Sequence, residues 1–167
     1  MAKNSKNYIL DTSAFISLES INLLDKVLHL FFVSTTNSVI EELEEFTRYD
    51  DKYGQIAKRV LGKKSKFTIK SAKIIESIKF LEVTDNELYN LSLKDKSPLV
   101  TDETKFVHHT RDKIDVYFSP VFIILLTQSG HLSKEKALRL LEELRNIRNW
   151  RSNIIYLTIK NQLENLD

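Results

Sequence analysis

Cysteine is absent from this chain of 167 residues, and only 2 prolines and 3 glycines interrupt it. The first absence excludes a disulfide framework and a thiolate zinc site, and it suits a reducing compartment. The scarcity of proline and glycine predicts long regular elements with short connections, and no linker or low-complexity tract is visible. Long hydrophobic runs are missing too. The first apolar run, in "NYIL", is stopped by Asp11, well short of the roughly 20 apolar residues needed to cross a bilayer. The opening "MAKNSKN" is polar and does not read as a secretory signal. A cytoplasmic protein without a membrane partner is the expectation.

What remains is 42% hydrophobic and 29% charged, enough for a single domain, residues 1–167, with a substantial core. A net charge of +2 permits a nucleic-acid partner without demanding one. Its distribution says more than its sum. Positive charge gathers in "KRVLGKKSKFTIKSAK", which contributes Lys58, Arg59, Lys63, Lys64, Lys66, Lys70 and Lys73, just after the acidic "IEELEEF". Such segregation would draw a polyanion to one rim while carboxylates hold something else. Solvated helix faces around a turn at Gly62 are the competing account.

Short apolar or β-branched runs, "NYIL", "LFFVST", "SPLVT" and "DVYFS", read as buried strands. Helical patterns lie between them. "SVIEELEEF" offers a capping box from Ser38 to Glu41, and "TDNELYNLSL" one from Thr84 to Glu87. A helix opens at Ser133 and repeats Leu138, Leu141 and Leu144, and a last helix places Ile155, Ile159 and Leu163 on one face. Strands alternating with helices predict a three-layer α/β/α sandwich on a mainly parallel sheet, with a helical C-terminal tail.

In such sheets the chemistry sits beyond the carboxyl ends of the strands. Asp11 closes "YIL" at one such end. Glu41 and Glu42 open the helix after "FFVST", Asp85 and Glu87 follow "FLEV", and Asp102 and Glu103 follow "PLVT". Each acid alone is explained by capping and the helix dipole. Four segments converging on one sheet edge are harder to dismiss, because neighbouring like charges repel by several kcal/mol at intermediate dielectric. A divalent cation is the natural neutraliser, and all-oxygen ligation suits Mg²⁺ or Mn²⁺.

The series "ILDTSAFISLESINLL", "SVIEEL", "TDNELYNLSL" and "LVTDETKF" resembles the PIN domain pattern, especially the small prokaryotic branch that includes VapC-type toxin ribonucleases. The resemblance covers nearly the whole chain in order. It implies a PIN-like fold and a metal-dependent ribonuclease whose carboxylates hold Mg²⁺ or Mn²⁺ and cut RNA. Carried over residue by residue, it assigns catalytic and metal-binding roles to Asp11, Glu42, Asp85 and Asp102, with Glu87 and Glu103 as alternates. Thr12, Ser13 and Thr101 would steady a carboxylate or a water, or else cap the adjoining turns. Lys58, Arg59, Lys63, Lys64 and Lys66 would contact RNA. The tail "SGHLSKEKALRLLEELR" is similar to PIN proteins in which a G-x-L turn follows the last strand. The toxin branch further implies a homodimer and a small antitoxin partner.

Two other enzyme readings are weak. A haloacid-dehalogenase phosphotransferase would place a second aspartate two residues after Asp11, where Ser13 stands, and a Rossmann binder needs glycines that "DTSAF" lacks. His108 and His109 read as surface residues or phosphate contacts, and Trp150 as core. The alternative from another class is a PIN-fold RNA-binding or scaffold protein with weak or no nuclease activity.

Overall fold

The computed structural model describes residues 4–150 and 154–166; the remaining part of the expected 1–167 domain lies outside the described residues. A five-stranded sheet runs through it in the order β3-β2-β1-β4-β5, with every neighbouring pair parallel. The strands are β1 (Asn4–Leu10), β2 (Phe31–Thr36), β3 (Thr68–Lys70), β4 (Leu99–Val100) and β5 (Val116–Tyr117). In sequence, the chain steps from β1 outward to β2 and β3, then returns to the other side of β1 for β4 and β5. The reversal between β1 and β4 is the switch point at which open parallel sheets place ligands.

The C-terminal half of β1 and all of β4 are buried, as parallel strands covered by helices must be. Ile9, Leu10, Leu99 and Val100 have no exposed surface. Burying one such aliphatic side chain stabilises the fold by roughly 1.5–3 kcal/mol. Tyr8, Phe31 and Phe122 pack edge to face, with centroids 5.1–5.6 Å apart, and tie β1 and β2 to the helix at 121–128. This core forms one connected cluster that reaches from β1 to Leu163. The three-layer α/β/α sandwich predicted from alternating strands and helices is the observed architecture.

Helices α1 (Thr12–Ser20), α2 (Leu24–Leu30), α3 (Asn37–Phe46) and α4 (Lys52–Leu61) follow the first two strands. After β3 come α5 (Val83–Asp95), then α6 (Thr104–Thr110) between β4 and β5. The chain ends on α7 (Val121–Gln128), α8 (Lys134–Ile147) and α9 (Ile154–Glu164). α7, α8 and α9 pack on one another, and α8 also meets α1. That last contact brings the tail next to the first strand end.

Local details depart from the sequence reading where two caps compete. α3 begins one residue before Ser38, with Thr36 as its N-cap, and the Ser38 hydroxyl donates to Glu87 at 2.5 Å instead of forming a box with Glu41. α5 begins before Thr84, and its box joins Glu82 to Asp85 rather than Thr84 to Glu87. An earlier helix start wins because it also lets Asn86 accept from Ile78 N–H at 2.7 Å and donate to the Leu81 and Glu82 carbonyls, tying down the loop before it. Strand β3 falls within the basic stretch that reads as solvated. It is three residues long, lies at the sheet edge, and has no buried alternation to announce it. Ser133 caps α8 as expected, its hydroxyl oxygen accepting Lys136 N–H at 3.3 Å. The G-x-L turn closes α7 rather than a strand: Gly130 has φ +73, and His131 N–H donates to Leu126 O at 2.8 Å. The left-handed residue after that helix is where glycine is favoured.

Candidate active site: an acidic cleft at the switch point

Asp11 leaves β1 with its backbone N–H donating to Val100 O at 3.2 Å, and its side chain caps α1 by accepting Ala14 N–H at 2.7 Å. Ser13 Oγ donates to the same carboxylate at 2.9–3.0 Å. These contacts fix the acid at the strand end. Burial pushes its pKa up to about 8, aided by the neighbouring Asp102 charge and opposed by hydrogen bonds from Thr101, Ala14 and Ser13.

Glu42 reaches the same place from α3, where the Thr12 hydroxyl donates to it. Asp85 comes from the first turn of α5. Burial, followed by the charge of Glu103, raises its pKa to about 6, with Glu82 and Glu42 adding smaller repulsions. Glu103, just after β4, is likewise raised by burial and then by Glu42 and Glu82. Asp11, Glu42, Glu82, Asp85 and Glu103 thus line one cleft of about 420 Å³, together with Thr12, Ser13, Phe46, Tyr53 and Arg148.

The structure separates the candidate acids into two groups. Asp11, Glu42 and Asp85 meet in the cleft. Glu87 faces Ser38 and does not line it. Asp102 does not line the cleft: it is buried, and its carboxylate accepts Ser17 Oγ at 2.5 Å, Ser119 N–H at 2.9 Å and Ser119 Oγ at 2.8 Å. Those donors hold both oxygens inward, and Glu103, with one more methylene on the following residue, takes the place at the cleft. Glu41 is exposed away from it.

Thr12 donates to Glu42 and Ser13 to Asp11, and Ser13 Oγ also accepts Asp102 N–H at 2.8 Å. Thr101 Oγ1 accepts Glu103 N–H at 3.0 Å and so shapes the turn. The basic stretch carries ion pairs with nearby acids. Arg59 and Lys63 pair with Glu19, Lys64 with Glu44 and Lys66 with Asp25, at 2.6–3.1 Å. Pairing with local acids answers the charge segregation seen in the sequence. Lys58 is exposed on α4, and none of the five lines the cleft. His108 and His109 sit on α6, His109 stacked on Phe80 at 5.4 Å, also outside it.

Glu82, Phe46 and Arg148 are among the cleft residues that escaped sequence reasoning. Glu82 was hidden because the N-cap of α5 falls two residues earlier than Thr84. Phe46 follows an amphipathic helix pattern to its exposed end, and Arg148 lies more than 40 residues beyond the last acidic motif. No local signal connects any of them to Asp11.

The donor set fits a hard divalent cation: five carboxylates, several held toward the protonated state by burial and by one another, with no sulfur or imidazole among the cleft residues. The side chains stand around the cleft and are not closed into a preformed cage, since no three His, Asp or Glu groups among the described residues make a ready ligand set. Mutual repulsion spreads uncompensated carboxylates.

A PIN-domain family model matches residues 7–165. No curated protein matches the chain by sequence. Among solved structures, the chain is similar to VapBC2 from Rickettsia felis bound to a DNA fragment from their promoter, at 17% identity and a TM-score of 0.47, covering 67% of this chain and 98% of that one. With the family pattern extending from β1 into α9, the chain belongs to the PIN domain family.

Proposed function

We propose that this protein is a metal-dependent endoribonuclease that hydrolyses RNA phosphodiester bonds in the acidic cleft, using Mg²⁺ or Mn²⁺. PIN domains are generally nucleases. The observation that carries the reading for this chain is the meeting of carboxylates from β1, α3, α5 and the β4 turn in one cleft at the sheet's switch point.

Asp11, Glu42, Asp85 and Glu103 are the proposed holders of the metal. A bound divalent ion supplies charge neutralisation, lowers the pKa of water and screens the phosphate. The protein's part is positional. Thr12 and Ser13 orient Glu42 and Asp11, and a carboxylate that is not engaged with the metal takes the proton of the attacking water. Asp102 serves beneath them as a positioning residue: it joins α1, the β4 turn and the start of α7 through Ser17 and Ser119. RNA is the proposed partner in the cleft.

Cleavage of an RNA oligonucleotide with Mn²⁺ or Mg²⁺, its arrest by EDTA, and its loss in Asp11→Asn test the reading. Cleavage that survives Asp11→Asn in protein free of contaminating nuclease would show that the centre is misassigned. The toxin role rests on the motif resemblance. It predicts that expression of the chain slows growth, that Asp11→Asn relieves the effect, and that a small antitoxin and a second copy of the chain bind it in the cytoplasm.

A second reading, a PIN-fold RNA-binding or scaffold protein with weak or no cleavage, is favoured by the open arrangement of the acids and by glutamate at position 103. Under it, RNA binds but is not cut at millimolar Mn²⁺.

A further inference from the structure

Arg148 enters the acidic cleft from the tail, a part of the chain that supplies none of the carboxylates. It caps α8, with its N–H donating to Leu144 O at 2.9 Å. The C-terminal end of a helix favours a cation through the dipole. Its guanidinium carbon lies 6.0 Å from the centroid of Trp150, a side chain that is itself buried. The helix end and the indole together fix where this cation stands.

Its surroundings set it apart. Arg59, Lys63, Lys64 and Lys66 are engaged by acids, as are Lys70 by Asp95 and Arg145 by Glu142. Arg148 closes on no carboxylate among the described residues, although its charge reaches Asp102 and Glu103. A guanidinium held in a cleft of five acids, yet bonded to none of them, leaves its donor fork available to an incoming anion. The carboxylates repel a phosphodiester, so a strand entering this cleft needs a cation independent of the metal. The planar fork matches two phosphate oxygens at once.

We propose that Arg148 is the phosphate contact of the cleft, holding a backbone phosphate of the bound RNA strand beside the carboxylate centre. This rests on the nuclease reading above. The competing role, a built-in counter-ion for the acids, predicts effects of a different kind, so one set of variants separates them.

The test uses the full chain with Arg148→Ala, Arg148→Gln and Arg148→Lys. Binding of a labelled single-stranded RNA oligonucleotide is read by fluorescence anisotropy in EDTA, where no metal-dependent cleavage interferes. A phosphate contact predicts that Ala and Gln weaken binding by about 10- to 100-fold, with Lys restoring part of it. The slope of log K against log salt becomes shallower by about 0.7, the value for one contact to a single strand. The rise in Tm on adding Mn²⁺ stays as in the wild type, and with Mn²⁺ the loss in cleavage appears mainly in KM. RNA binding at wild-type strength in the Ala and Gln variants overturns the proposal, and a larger Mn²⁺ shift in those variants identifies a counter-ion instead. Should Arg148→Ala fail to fold, the Gln and Lys variants, which keep most of the stem, decide the matter. Wild-type protein that binds RNA without cutting it would sink the nuclease reading alone, because the anisotropy comparison still reads Arg148.

Discussion

Ser17 Oγ donates to Asp102 Oδ2 at 2.5 Å, joining the second turn of α1 to the turn after β4 across 85 residues of sequence. With Ser119 on its other side, Asp102 is an internal clasp, while its neighbour Glu103 faces the cleft. The two adjacent acids should therefore fail differently. Asp102→Asn sets an amide N–H₂ against serine donors in a buried site and is expected to cost about 1–3 kcal/mol of stability. Glu103→Gln removes a cleft charge and is expected to cost little stability but to reduce the Mn²⁺-induced rise in Tm and the cleavage rate. Equal thermal shifts with Mn²⁺ in Glu103→Gln and the wild type would assign the fourth position elsewhere.

The raised acids give the metal-free protein an unusual dependence on pH. An unfolded aspartate titrates near 3.9, whereas Asp85 is pushed up to about 6 and Asp11 to about 8. Between these values the folded chain holds protons that the unfolded chain has released, so stability falls as pH rises. The contribution is fully present below pH 4, is reduced through 6 as Asp85 ionises, and is lost through 8 as Asp11 follows. Asp11→Asn is neutral throughout. In EDTA, its Tm should gain on the wild type as pH is raised from 4 to 8, and parallel curves would contradict the buried placement of Asp11.

Binding of a cation should reverse that loss. Stabilisation by a ligand that binds only the folded state grows by mass action, and it is largest where the cleft acids are ionised. Melts in millimolar Mn²⁺ are expected to rise above those in EDTA by more at pH 8 than at pH 5. An absence of any shift at pH 8 would favour the scaffold reading.

Gly54 offers a test of how the aromatic wall is built. A Cβ there would lie 2.0 Å from Tyr49 O and 2.9 Å from Phe46 O, both backbone atoms. The close approach lets α4 fold back against the end of α3, which delivers Phe46 and Tyr53 to the cleft. Gly54→Ala forces the two helices apart and is expected to cost about 1–3 kcal/mol or more, seen as a Tm lower by roughly 2–4 °C per kcal/mol.

Phe46 itself is 38% exposed at the cleft, and a ring in that position can stack on an unpaired base. Phe46→Ala is expected to weaken single-stranded RNA binding by about 5- to 100-fold, the range of one base stacked on an aromatic side chain. Phe46→Tyr should restore it. Equal loss for duplex RNA of the same composition would point to a general surface effect.

The first carboxylate and the fold class could be read directly from the chain. Asp11 follows an apolar run and precedes a helix, and that local pattern is sufficient to place it at a strand end. Glu42 was legible for the same reason, on the helix that follows β2. The choice between Asp85 and Glu87, or between Asp102 and Glu103, was not. It depends on where a helix begins and on which neighbour offers serine donors, and Ser38, Ser17 and Ser119 are 49, 85 and 17 residues away from the acids they hold.

Periodicity and motif spacing therefore marked β1, β2, β4, β5 and several of the helices, the parallel arrangement and the strand ends at which acids gather, because these follow from contacts within a few residues, whereas β3 carried no such signal. Only the tertiary structure decided which carboxylates share the cleft, that Arg59, Lys63, Lys64 and Lys66 pair with acids, and that Arg148 stands among the acids. Those outcomes are set by packing between α1 and α8 and by the return of the chain across β1, and no short window of sequence carries that information.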